Sequence, residues 1–363
     1  MVAQTRTVLP AGLIVDHIER RILNFIKYRE GVKISSFGEF IDTAPHNPEK
    51  YRQDLWAVNC SLDQLPYMTL VSVIEQYGLQ SNCVFLVSDY DNVEKYRHLN
   101  FRYFPYFIAE GIAQIKTQNE LENPAINFEH RTNRLSCVNR FARFHRLYVF
   151  YKICQQPNLQ DIKLSFTRLE TLFPDENGIL QPTDLTLDQL LDVARLHGYY
   201  TIDFELWLRN VVPRLPIQIE EQDNRDNKYD NWVKSVAFSE TYANIVTETY
   251  VEDFLPTEKV VKPLLAGCLI MPTSSKSYMK KLERMGFDLQ FEGIDYSLYD
   301  ELPTWQERAD CVVALANELY PNFEDIWRAN IGRLKHNRDL FFSKSLEDHI
   351  LQDLADVFEL NTE

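Results

Sequence analysis

The sequence predicts an α/β protein of two open units with extra helices between and after them. Three observations predict it. Short apolar, β-branched runs alternate with helically spaced segments in the first part of the chain, and the same alternation returns after residue 232. From Pro303 onward the chain reads as successive helices rich in Trp, Leu and Phe. The 363 residues suffice for two domains of ordinary size or one large one.

The elements follow in order. Residues 12–30 place Leu13, Ile14, Ile18, Ile22, Leu23 and Ile26 at helical spacing. "VKISSFGEF" reads as a short strand and turn, and "LPYMTLVSVIEQYG" as a helix stopping at Gly78. "NCVFLVSDYDN" is a short apolar strand followed by a polar turn. Residues 135–153 read as one basic helix, and "PDENGILQPTD" as a turn-rich region. "TLDQLLDVARLHG" is a helix with a Thr186…Gln189 capping box and Gly198 as its stop. Residues 220–231 are acidic and read as a surface loop. "SVAFS" and "ANIVTE" are strand candidates. Residues 258–266 form a helix that Pro263 should kink or shorten. "GCLIMP" is a buried strand, "SSKSYMKKLERMGF" a helix ending at Gly286, and "FDLQFEG" a further strand.

Composition narrows the function classes. Hydrophobic residues make up 45% and charged residues 25%, ordinary for a globular chain. The formal net charge of -15 disfavours a long polyanion as partner, unless a local basic patch receives it. The six cysteines are scattered without a CxxC pair and read as buried free thiols in a reducing compartment. The N-terminal stretch lacks the apolar region of a signal peptide, and no apolar run approaches the ~20 residues that span a bilayer. The expectation is a cytoplasmic protein without a membrane anchor. With 11 glycines the chain contains neither GxGxxG nor GxxxxGK[ST], no Gly-x-Ser-x-Gly elbow and no paired zinc-binding histidines.

Four stretches carry chemistry. Arg131, Arg134, Arg140, Arg143, Arg146 and Lys152 form a basic island, with His130 and His145 and with Glu129 as the nearby acid. Arginine forks suit phosphate oxygens; equally, such a face offsets acidic neighbours within the fold. In "NIVTETYVEDFLPTEKVVKPLLAGCLIMPT", Glu248 falls at the end of a strand and Thr257 is an N-cap for the next helix. Glu258 suits the helix dipole and Lys259 opposes it, a mismatch that a bound anion would relieve and that exposure to solvent would equally tolerate. In "MPTSSKS", Thr273, Ser274, Ser275 and Ser277 gather at a helix start, where they hold a phosphate or simply cap. Asp89 and Asp91 form an Asp-x-Asp after a strand, a pattern that binds divalent metal with a sugar-nucleotide or merely shapes a turn.

Taken together, "FSETYANIVTETYVEDFLPTEKVVKPLLAGCLIMP" resembles the nucleotide-binding segment of glycosyltransferase family 10, the α-1,3-fucosyltransferase-like enzymes, and more closely their divergent phage, large-virus and bacterial relatives. "CVNRFARFHRLYVFYKI" supplies an asparagine, Asn139, and an arginine, Arg146, in the arrangement that family places before a leucine-rich helix. The resemblance covers roughly residues 130–300. It implies a GT-B-like fold, two Rossmann-like domains facing across a cleft: 1–130 on the acceptor side, 131–300 binding the nucleotide sugar, and 301–363 as C-terminal helices packing back across both.

It further implies inverting, metal-independent transfer from a GDP- or UDP-sugar to a glycan, protein or modified-base hydroxyl. Arg146 and Lys259 would neutralise the diphosphate, with Asn139 and Thr257 beside them. Glu258 would bond the ribose and Glu248 would sit beside the sugar. Asp89, at a strand end of the first unit, is the candidate general base. The chain departs from the family by a longer spacer between Glu248 and Thr257, and by Glu248-Thr249-Tyr250 in place of Glu-Asn-Ser. Three other readings compete: a metal-dependent GT-A transferase using Asp89 and Asp91, a viral DNA-base glycosyltransferase, and a non-catalytic sugar- or nucleic-acid-binding relative. A host-cell cytoplasm is expected if the chain is viral.

Overall fold

The computed structural model describes residues 32–60, 67–109, 112, 128–141, 143–168, 170–174, 180–214 and 236–358. The helix expected over 12–30 and the loop expected at 220–231 lie outside them.

The first sheet is parallel, in the order β1-β2-β3-β4. Its strands are β1 (Val32–Ser36), β2 (Leu55–Asn59), β3 (Cys83–Val87) and β4 (Phe101–Tyr103). Helices α1 (Phe37–Thr43), α2 (Pro48–Arg52), α3 (Tyr67–Tyr77) and α4 (Tyr90–Tyr96) connect them. Every residue of β3 is buried, as an apolar run covered on both faces should be. Ser36 caps α1, accepting a hydrogen bond from the Glu39 amide, so the expected turn after β1 is a short helix.

The second sheet is also parallel, in the order β10-β9-β5-β6. It comprises β5 (Asn133–Phe141), β6 (Lys163–Arg168), β9 (Thr241–Thr247) and β10 (Leu269–Thr273), with an antiparallel hairpin of β7 (Glu170–Pro174) and β8 (Leu180–Asp184) beyond β6. The basic segment expected to be one helix divides: its first half is β5, and only α5 (Phe144–Cys154) is helical. Leu135, Cys137 and Asn139 alternate inward along β5, and pairing with β6 and β9 overrides the local helical pattern. α6 (Leu187–Leu196) has the expected capping box, and α7 (Ile202–Val211) follows. "SVAFS", expected as a strand, is instead the single turn α8 (Val236–Ser239). α9 (Glu258–Leu265) tolerates Pro263 near its end, and Pro272 is accommodated because β10 is an edge strand.

After α10 (Tyr278–Arg284) come α11 (Trp305–Leu319), α12 (Phe323–Ala329), α13 (Ile331–Leu340) and α14 (Lys344–Phe358). "FDLQFEG" buries Phe287, Leu289 and Phe291 in alternation but joins no sheet, and the Phe291 amide turns back to the Leu289 carbonyl (2.8 Å). Two fully buried asparagines take the place of a partner strand. Asn337 accepts from the Asp288 amide (2.6 Å) and donates to its carbonyl (2.8 Å), and Asn330 does the same for Glu292 (2.8 and 2.9 Å). α11 packs on β10 and α5, α12 on β9, and α14 on β4. None of the described helices is long and apolar enough to cross a membrane.

Candidate functional site

The strand order sets the place. From β5 the chain crosses through α5 to β6 on one side; from β9 it crosses through α9 to β10 on the other. The connections diverge between β5 and β9, and a crevice at the carboxyl ends of two such strands is where open α/β sheets bind ligands. Arg146 leaves the start of α5 there, and Thr249 and Lys259 follow β9.

Arg146 and Lys259, 113 positions apart, meet at one hydroxyl. Arg146 Nη2 lies 3.4 Å and Lys259 Nζ 3.2 Å from Thr249 Oγ1. Arg146 Nη2 also donates to the Glu248 carbonyl at 3.2 Å, while its Nε has no partner among the described residues. Burial, reinforced by Arg143, lowers the Arg146 pKa to about 10. Burial likewise lowers that of Lys259, against the pull of Glu258, whose Oε1 is 2.6 Å away. Burial would raise Glu258, but Lys259 and Lys262 outweigh it and hold the carboxyl at about 2. Arg143 lies over the Tyr250 ring (5.0 Å), and no side chain caps the start of α5. Arg143, Arg146 and Lys259 thus gather at the strand ends, with the Glu258 and Glu248 carboxylates acting on the last two.

His145 sits one residue before Arg146 and is buried. Burial, then the Arg146 charge, push its pKa well below the usual value, so it is neutral. Its Nε2–H donates to the Glu248 carbonyl (2.7 Å), and Nδ1 is left without a partner among the described residues.

Three of the expected site residues have their polar atoms committed elsewhere. Glu248 is fully buried: Oε1 accepts from the Thr257 amide (3.0 Å) and Tyr278 hydroxyl (2.6 Å), and Oε2 from the Thr257 hydroxyl and the Thr249 amide (3.3 Å). With four donors on its carboxylate it anchors the ends of the spacer. Thr257 caps α9, its hydroxyl accepting from the Lys259 amide. Asn139 is buried between strands, accepting from the Thr247 hydroxyl and facing Cys137 Sγ at 3.3 Å, so it pins β5 to β9.

Asp89 is the N-cap of α4. Its carboxylate accepts from the Asp91 amide (3.0 Å), Asn92 Nδ2 (3.1 Å) and the Phe254 amide (3.3 Å), which leaves little of it for a proton-transfer role. Lys281, itself buried, stands 2.7 Å from Asp91 and 3.6 Å from Asp89, so an ammonium faces both carboxylates. Among the described residues no group of three or more His, Cys, Asp or Glu is arranged to hold a metal. All six cysteines are free; burial pushes Cys83 and Cys137 up to about 12.

The spacer 250–256 acquires a structural account. It carries the chain from the carboxyl end of β9 to the carboxyl end of β3, where the Phe254 amide meets Asp89. Phe254 is fully buried, stacked near Tyr90 (5.9 Å) and tilted against Tyr278 (5.2 Å). Arg308 fixes its other end, donating to the carbonyls of Val251 (2.8 Å) and Ser274 (2.7 Å). Tyr278 and Arg308 escaped sequence reasoning, which also gave His145 and Thr249 no role of their own, because each acts through contacts between distant segments. Comparison with protein-family models, with curated proteins and with solved structures returned no match.

Proposed function

We propose that the protein is a glycosyltransferase that moves a sugar from a nucleotide-sugar donor to a hydroxyl acceptor, with a GT-B-like arrangement of its two sheets. The observation that carries this reading is the convergence of Arg146 and Lys259 on Thr249 at the point where the second sheet's crossovers diverge. Two buried cations that share a hydroxyl, one of them without a carboxylate partner, are an expensive arrangement alone. A diphosphate between them relieves the cost.

The chemistry follows from the residues. As the bond from the anomeric carbon to the diphosphate breaks, negative charge grows on the leaving oxygen. Arg146, Lys259 and the uncapped start of α5 stabilise it in a site with little water. Glu258 keeps Lys259 charged despite burial and is itself partly exposed beside it, placed to accept a ribose hydroxyl. Lys281 between Asp89 and Asp91 supports metal-independent transfer over a reading in which that pair binds a divalent ion.

A thermal-shift panel of nucleoside mono- and diphosphates tests the reading. GDP or UDP should raise the melting temperature of the wild type, and Lys259→Met should abolish the rise. If no nucleoside diphosphate at millimolar concentration shifts the wild type, the reading fails.

A further inference from the structure

Transfer also needs a group to take the acceptor's proton, and Asp89 and Glu248 are both committed to other donors. The remaining carboxylates of the region can be sorted by their partners. Glu258 pairs with Lys259, Asp91 with Lys281 and Glu301 with Lys280, while Asp300 accepts from the amides of Met279 and Lys280. Glu252 is exposed. Asp253, in the spacer, is half-buried and has neither a hydrogen bond nor an ion pair among the described residues.

We propose that Asp253 is the general base that accepts the proton of the attacking hydroxyl in the transfer reaction. The assignment rests on the glycosyltransferase reading and deepens it. Asp253 lies four positions after Thr249, so their Cα atoms are at most about 14 Å apart. The segment that carries it links the carboxyl ends of both sheets, and its neighbour Phe254 is fixed to Asp89. The cations that would hold the leaving group stand at Thr249: Arg146, 1% exposed, and Lys259 meet at its Oγ1.

The surroundings of Asp253 suit the task. Burial, then Asp89 and Glu252, raise its pKa to about 6, with Lys281 opposing them. Tyr67, also near Asp89 and Asp253, has its phenol pushed up by burial and those charges, and stays neutral. A carboxylate of this kind is ionised at neutral pH yet more basic than an ordinary aspartate. In the step, the acceptor O–H bond breaks and its proton passes to Asp253 as the acceptor oxygen bonds to the anomeric carbon. The bond to the diphosphate breaks in concert, and that electron pair leaves with the phosphate oxygen held by Arg146 and Lys259.

The test uses the full chain with a panel of GDP- and UDP-hexoses, and measures nucleoside diphosphate released with water as acceptor. Asp253→Asn should keep the wild-type thermal shift with GDP or UDP, lose on the order of 100-fold in rate, and lose the fall in rate below about pH 6. Asp253→Glu should restore part of the rate and the acid limb. If Asp253→Asn keeps the rate within about threefold and keeps the acid limb, the assignment falls while nucleotide binding by the wild type leaves the broader reading standing. Loss of the nucleotide shift in Asp253→Asn, or no release by the wild type from any donor that shifts it, also overturns the assignment. If no nucleotide shifts the wild type, both fall together.

Discussion

Arg131 and Arg146 come from the same basic stretch and are equally buried, yet they are held in opposite ways. Arg131 donates from Nη1 to the carbonyls of Phe238 (2.9 Å) and Thr241 (2.6 Å), and from Nη2 to that of Ala266; it also stacks on Trp327 at 4.8 Å. Arg146 has one carbonyl at 3.2 Å, one hydroxyl at 3.4 Å and a bare Nε. The first is an internal strut: the ends of helices and strands supply three carbonyls to its Nη atoms and Cys268 Sγ lies 3.3 Å from Nη1, although its Nε, like that of Arg146, has no partner among the described residues. The second is a buried charge with a single carbonyl acceptor, reached through Nη2. Burial alone therefore says little about ligand binding; the balance of donors and acceptors around the charge separates the two roles.

The largest expected effect lies on the strut. Arg131→Met removes the donors from three buried carbonyls, and should cost about 3–5 kcal/mol in urea unfolding with the m-value unchanged. A loss below about 1 kcal/mol would show that those carbonyls find water, and would erase the distinction drawn here.

Glu248 comes next. Its two oxygens accept from the Thr249 and Thr257 amides and from the Thr257 and Tyr278 hydroxyls. Glu248→Gln turns an NH₂ group toward donors and should cost about 2–3 kcal/mol. Were the loss confined to turnover, with the unfolding midpoint unmoved, Glu248 would belong with Arg146 and not with Arg131.

The two arginines also show what the sequence could reveal. Parallel α/β units were legible because β3, β9 and β10 are short runs built around apolar and β-branched residues, and the structure buries each from end to end. The capping box at Thr186 was legible because its signal is local. The basic segment was misread as one helix because β5 owes its conformation to β6 and β9, strands at distant positions. "FDLQFEG" has the period of a strand, but its hydrogen bonds go to Asn330 and Asn337, which no pattern in the segment announces. At the site, the strand–Thr-Glu-Lys motif marked Lys259, and the charge mismatch at the helix start was a physical hint. What the motif hid was the commitment of Glu248, Asn139 and Asp89 to neighbours.

A smaller effect separates Asp253 from the saturated carboxylates. Its folded pKa is raised from 3.8 to about 6, so its stabilising contribution is complete below the unfolded value and is lost as pH rises through about 6. Asp253→Asn is free of that loss. Its stability relative to wild type should climb between pH 4 and 6.5 and then level off, by about 1 kcal/mol once solvent screening is allowed for. A flat difference across that window in parallel urea titrations would mean that Asp253 already has a partner, and would place it with Asp89.

The smallest expected change in stability is the sharpest comparison. Arg146→Met replaces a charge that burial holds near a pKa of about 10 with an apolar chain of similar length. What is given up is a carbonyl contact at 3.2 Å and a hydroxyl contact at 3.4 Å. What is regained is the desolvation cost of a guanidinium with an empty Nε, so the two should nearly cancel and leave the unfolding midpoint within about 0.5 kcal/mol of wild type. The thermal shift caused by GDP or UDP should vanish in the same variant, since the diphosphate loses its fork of donors. A protein destabilised like Arg131→Met would show that Arg146 is a strut after all. A stable variant that still answers to nucleotide would leave Lys259 holding the phosphate alone.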